Sequence, residues 1–79
     1  MKELFLTNIL WISPNGAGIN TTLCFPGLSA GEAEKKAVYR FEKYATKLYG
    51  SFDDVEIRRV RTESLEYGVI SERRWSNPK

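Results

Sequence analysis

The stretch before Glu32 is nearly free of charge: of 12 basic and 10 acidic side chains, only Lys2 and Glu3 lie in it. Within it, Leu4 to Ile12 (LFLTNILWI) is apolar at both odd and even positions. A half-buried strand alternates apolar with polar, so such a segment has to be covered on two sides or bind something. That requirement constrains the fold more than any other feature of the chain.

With 79 residues the chain makes one small domain, which buries only about 60–65% of its unfolded surface. At 42% hydrophobic and 28% charged it has an ordinary globular composition. The net charge of +2 neither requires nor excludes nucleic acid, so electrostatics has to be argued from where the charges sit. Cys24 is the only cysteine, which rules out an intramolecular disulfide and makes a reducing compartment, the cytoplasm, the expected location. There is no histidine, so Ser-His and Cys-His pairs and the commonest zinc ligand are missing. Lys2 and the apolar run faintly resemble a secretory signal, but Glu3, Thr7 and Asn8 spoil the pattern and turn formers follow it. The run is also too short to span a bilayer.

Two β-runs, Leu4 to Ser13 and Ile19 to Phe25, flank Pro14-Asn15-Gly16-Ala17-Gly18, and Asn-Gly is the strongest short hairpin signal. A two-residue turn at Asn15-Gly16 pairs Ile12 with Ile19, Leu10 with Thr21 and Leu6 with Phe25. Phe5, Ile9 and Trp11 then lie on the opposite face from the second strand's apolar side. A loop longer by one residue exchanges the faces, and Ala17-Gly18 leaves room for it.

Ser29-Ala30-Gly31-Glu32 matches a capping box. A helix is expected from Ala30 to Tyr49 with Gly50 as its left-handed stop, and Ala33, Ala37, Phe41, Tyr44, Ala45 and Leu48 form its apolar stripe. Val55 to Arg61 and Leu65 to Trp75 read as a second hairpin turning near Glu63-Ser64. Val60 falls out of phase with Val55 and Ile57, which suggests a bulge at Arg58-Arg59.

The expected fold is α+β, a two-layer ββαββ domain over residues 1–75 with a frayed tail at 76–79. Its antiparallel sheet has about four strands in spatial order 2-1-3-4, with one amphipathic helix packed on one face. One helix covers only one face, so an apolar side of the first strand is left over.

Three features could bind a partner. Phe5, Ile9 and Trp11 form the expected uncovered patch, of the kind that marks interfaces. Lys36, Arg40, Lys43 and Lys47, beside Tyr39, fall within an arc of about 60° and make one basic ridge. Arg58, Arg59, Arg61, Arg73 and Arg74, with Trp75, combine guanidinium with aromatic surface and suit phosphate or an acidic protein. Interleaved acids offset the cluster, and Arg61 is expected to pair across strands with Glu66.

No catalytic, cofactor or metal motif is present. Asn15-Gly16-Ala17-Gly18 lacks the helix and the Lys-Ser/Thr of a phosphate loop. Asp53, Asp54 and Glu56 are acids ahead of a strand, without a motif for Mg²⁺. Cys24, on the sheet face opposite Leu23 and Phe25, has no base beside it.

In plan, the arrangement of Leu4 to Phe25, Ala30 to Tyr49 and Val55 to Trp75 resembles the small phage- or mobile-element-encoded inhibitors that include some anti-CRISPR proteins. That resemblance implies a non-enzymatic protein-binding module in the host-cell cytoplasm, without cofactor, small-molecule substrate or membrane. Its partner would be a nucleic-acid-handling complex or, through the uncovered face, a second copy. The competing expectation is a small RNA- or DNA-binding regulator using the basic ridge and the arginines.

Overall fold

A computed structural model describes residues 3–74. The chain runs β1 (Glu3–Ile12), β2 (Gly18–Gly27), α1 (Ala30–Tyr49), β3 (Glu56–Ser64) and β4 (Gly68–Arg74). The four strands form one antiparallel sheet in the order β2-β1-β3-β4, with α1 packed against it. This is the expected ββαββ topology. The expected tail at 76–79, and Trp75 with it, lies outside the described residues.

The first hairpin turns by a different route from the two-residue one. Gly16 N–H donates to Ser13 O and Ser13 N–H to Ala17 O, both at 2.9 Å, and Gly16 sits at φ 89°. Pro14-Asn15-Gly16 is thus a three-residue loop whose last residue is left-handed, a conformation glycine adopts without steric cost. The odd loop length moves the register by one residue. Trp11 faces Ile19, Ile9 faces Thr21 and Phe5 faces Phe25.

Because side chains alternate along a strand, that shift turns the whole of β1 over. Phe5, Thr7, Ile9 and Trp11 lie in the core, each 2% exposed or less. Their expected place on an uncovered patch is therefore corrected: these side chains pack under α1. Trp11 stands edge-on to Phe41 with ring centroids 5.0 Å apart, and its Nε1 donates to Thr21 Oγ1 at 3.0 Å. Thr7 and Thr62, buried register partners on adjacent strands, satisfy each other through their hydroxyls, 3.1 Å apart.

β3 reaches the same core by way of a bulge. Leu10 faces Arg59 while Trp11 faces Ile57, so Arg58 is the extra residue. The bulge brings Val55, Ile57 and Val60 to one face, all buried, despite the broken alternation in the sequence. The second hairpin turns later than expected, through Leu65-Glu66-Tyr67, after which Gly68 pairs with Ser64.

At its start α1 is capped by Ser29 Oγ, which accepts from Glu32 N–H at 3.2 Å, while Glu32 reaches back to Leu28 N–H at 3.3 Å. It ends at the left-handed Gly50, whose N–H donates to Thr46 O at 2.8 Å. The buried line is Ala33, Ala37, Phe41 and Ala45, joined by Glu34 and Val38. Tyr44 and Leu48, expected in the stripe, are instead 53% and 55% exposed. The helix is rolled so that the flank holding Val38 turns inward and the flank holding Tyr44 turns out, while Leu48 stands exposed in the last turn, beyond the last buried residue Ala45.

Candidate functional site

The turned-over β1 leaves its even-numbered side chains on the face away from α1. Leu4 is exposed there, and Leu6, Leu10 and Ile12 are half-buried. Asn8, at the middle of the row, donates from Nδ2 to Thr22 Oγ1 at 3.1 Å. Register places Thr22 and Cys24 of β2 on one side of this row, and Arg59, Arg61 and Glu63 of β3 on the other. Beyond Arg61 comes Glu72 of β4. The open face is therefore an apolar stripe with a neutral polar border on one side and a charged border on the other.

Within the charged border most groups hold one another. Arg61 Nη2 lies 3.0 Å from Glu63 Oε1 on its own strand rather than pairing with Glu66, because the late turn puts Glu66 in the loop. That hydrogen bond and the Glu63 charge, helped by the Glu72 charge and opposed by desolvation, raise the Arg61 pKa above its ordinary value. Arg58 pairs with Glu56 at 3.4 Å. Arg59 differs from both in making no ion pair among the described residues; its Nε, like that of Arg61, is buried and finds no hydrogen-bond partner among them. A groove of about 460 Å³, lined by Leu10, Ile12, Arg58, Arg59 and Glu72, opens at this end of the stripe.

The basic ridge lies on the other side of the molecule, along α1. Lys36 is engaged by Glu32 at 3.2 Å and by Pro26 O at 3.3 Å. Lys43 stands over the Tyr39 ring, 4.8 Å from its centroid. Arg40, Lys43 and Lys47 are exposed and make no ion pair among the described residues. Sheet and helix thus separate the expected site into two surfaces: Arg58, Arg59 and Arg61 at the open sheet face, and Lys36, Tyr39, Arg40, Lys43 and Lys47 on the helix. Arg73 and Arg74 occupy β4 at register positions opposite Val60 and Arg59.

The residues missed in the sequence are Leu4, Leu6, Leu10 and Ile12, together with Glu72. Their signal was present, since β1 is apolar on both faces, but choosing the exposed face required the loop geometry.

Among the described residues no group of three or more His, Cys, Asp or Glu side chains is placed to hold a metal ion. No described helix is long and apolar enough to cross a membrane. Comparison of the chain with known protein families, with characterised proteins and with solved structures finds no match.

Proposed function

We propose that this chain is a non-enzymatic protein-binding module that docks a protein partner on the open face of its sheet. The observation that carries this is the row Leu4, Leu6, Leu10 and Ile12, which among the described residues is left without cover on the sheet face opposite α1. An apolar stripe bordered by polar and charged groups is the usual anatomy of an interface, and Arg is enriched in such sites. Arg59, with its unsatisfied Nε beside Leu10 and Ile12, is the anchor best placed to reward an acidic or carbonyl-bearing partner. In narrower form, the module is a phage-encoded inhibitor of a nucleic-acid-handling complex in the host-cell cytoplasm. The resemblance of plan to anti-CRISPR proteins supports that form.

Affinity capture from the native host with wild type and with the double variant Leu6→Asp, Leu10→Asp tests the docking face. The expected result is a defined partner lost with the double variant while its circular dichroism stays that of the wild type. Equal capture by both proteins overturns the proposal. A second proposal, RNA or DNA binding through the helix, is favoured by one observation: Arg40, Lys43 and Lys47 stand exposed without acidic partners among the described residues. It requires a mobility shift whose affinity falls steeply with salt, and it is lost if neither duplex nor single strand shifts at low salt.

A further inference from the structure

The two edges of the sheet are built differently. β4 is only 7 residues long, its pairing contains a register shift, and it carries Glu72, Arg73 and Arg74. Short length, a bulge and charge are the usual devices that stop an edge from pairing with another chain. β2 has none of these. It runs for 10 residues, pairs with β1 without a shift, and contains no charged residue. Pro26, next to its end, is its one blocking residue.

Above that edge the helix presents an equally unfinished flank. Lys36, Arg40, Tyr44 and Leu48 follow one another at four-residue spacing and so share one side of α1. The Lys36 contact to Pro26 O places this side along β2. A groove of about 300 Å³ runs between flank and edge, lined by Thr21, Thr22, Leu23, Arg40, Phe41 and Tyr44. The exposed Tyr44 lines this groove, and the exposed Leu48 follows it one turn on along the same side of α1.

We propose that the β2 edge is a homodimer seam: a second copy pairs antiparallel through its own β2, making a continuous eight-stranded sheet with two antiparallel helices above the seam. The strand is its own complement. A two-fold axis at Thr22 sets Ile19 against the partner copy's Phe25 and Thr21 against its Leu23 on the helix side. An aromatic facing a β-branched residue is among the favourable cross-strand pairs. On the open face Thr22 meets Thr22 and Asn20 meets Cys24, with no like charges opposed.

The same axis passes between Arg40 and Tyr44, since both border the groove at Thr21 to Leu23. Each Arg40 therefore comes over the other copy's Tyr44, a cation–aromatic pair, and the two arginines do not oppose each other. A nine-residue seam, Gly18 to Pro26, about 30 Å long and two layers deep offers on the order of 550 Å² per copy, at the lower end of stable interfaces. The seam adjoins the open face only along its neutral border at Thr22 and Cys24, while Leu6 and Leu10 lie one strand further in on β1, so substitutions at Leu6 and at Thr22 distinguish partner docking from dimerisation.

Sedimentation of the full chain over a range from about 1 to 500 μM, which brackets micromolar affinity, tests it. The wild type should show a monomer–dimer equilibrium. Thr22→Lys, an exposed position where two ammonium groups would meet on the axis, should weaken the dimer roughly tenfold. Thr22→Glu should do the same, and an equimolar mixture of the two variants should recover dimer as the Lys–Glu heterodimer. Leu6→Asp, on the open face, should leave the equilibrium unchanged. A wild type that stays monomeric throughout overturns the seam. So does a dimer that survives Thr22→Lys but is lost with Leu6→Asp, which would place the contact on the open face.

Discussion

Trp11 is the residue whose role the structure changed most. As an exposed aromatic it would have been an interaction anchor; in the fold it is the largest side chain of the core, held by Phe41, Tyr49 and the Thr21 hydroxyl. Truncating a buried Trp costs about 3–5 kcal/mol, comparable with the whole stability of a domain this small. Trp11→Ala should therefore be largely unfolded at room temperature by circular dichroism. Trp11→Phe keeps the ring contacts, loses one hydrogen bond worth about 1 kcal/mol, and should stay folded with a lower Tm. A Trp11→Ala variant that melts like the wild type would show that the side chain is not in the core. Arg61 carries the other electrostatic lesson at this scale. Its pKa is raised in the folded state, so its contribution is present at every pH below the ordinary guanidinium range and lost only as pH rises through and beyond that range. Arg61 therefore adds no pH dependence near neutrality.

Among the elements, the first hairpin decides most. Asn15-Gly16 was legible as a turn, but a two-residue and a three-residue loop use the same Asn-Gly signal, and only the second puts Phe5, Ile9 and Trp11 inward. Gly16, at φ 89°, holds the loop in this form. Gly16→Ala meets open space yet forces a side chain into the left-handed region, at a cost of about 1–2 kcal/mol. In a domain of this size that lowers Tm by roughly 5–15 °C, and an unchanged melting curve would contradict the turn assignment. α1 was readable end to end, because its capping box and terminal glycine are local signals that act through neighbouring backbone groups. Its roll was not: Tyr44 and Val38 both lie next to the central line of Ala37, Phe41 and Ala45. Helical spacing alone does not choose between those flanks. The bulge at Arg58 was readable as a break in period, since β-alternation allows no other way to keep Val60 with Ile57.

At the scale of the molecule, one helix on a four-stranded sheet leaves one face of β1 outside, and the two faces should respond oppositely to the same chemical change. Ile9→Ser places a hydroxyl in a fully buried site and removes apolar volume, a loss of about 3 kcal/mol or more. Leu10→Ser, one residue on, acts on a half-buried side chain and should cost about 1 kcal/mol or less, while weakening partner capture. Chemical denaturation of the pair checks this, and equal destabilisation would mean that both faces are covered. The two borders of the open face and the separate basic ridge on α1 are likewise properties of the assembled molecule. Residues grouped in the sequence as one arginine and lysine inventory end up on opposite sides of it.

The sequence by itself determined the element types, their order, the strand order β2-β1-β3-β4 and the need for an uncovered apolar face. Those follow from local backbone preferences, from hydrophobic period and from the handedness of the crossover. Only the tertiary structure decided which face of β1 is covered, which flank of α1 turns out, and hence which residues could meet a partner. The physical reason lies in β1: a strand apolar on both sides has no local bias toward either, so its orientation passes to the loop that joins it to β2. A single residue of loop length moved Trp11 into the core and Leu10 out of it.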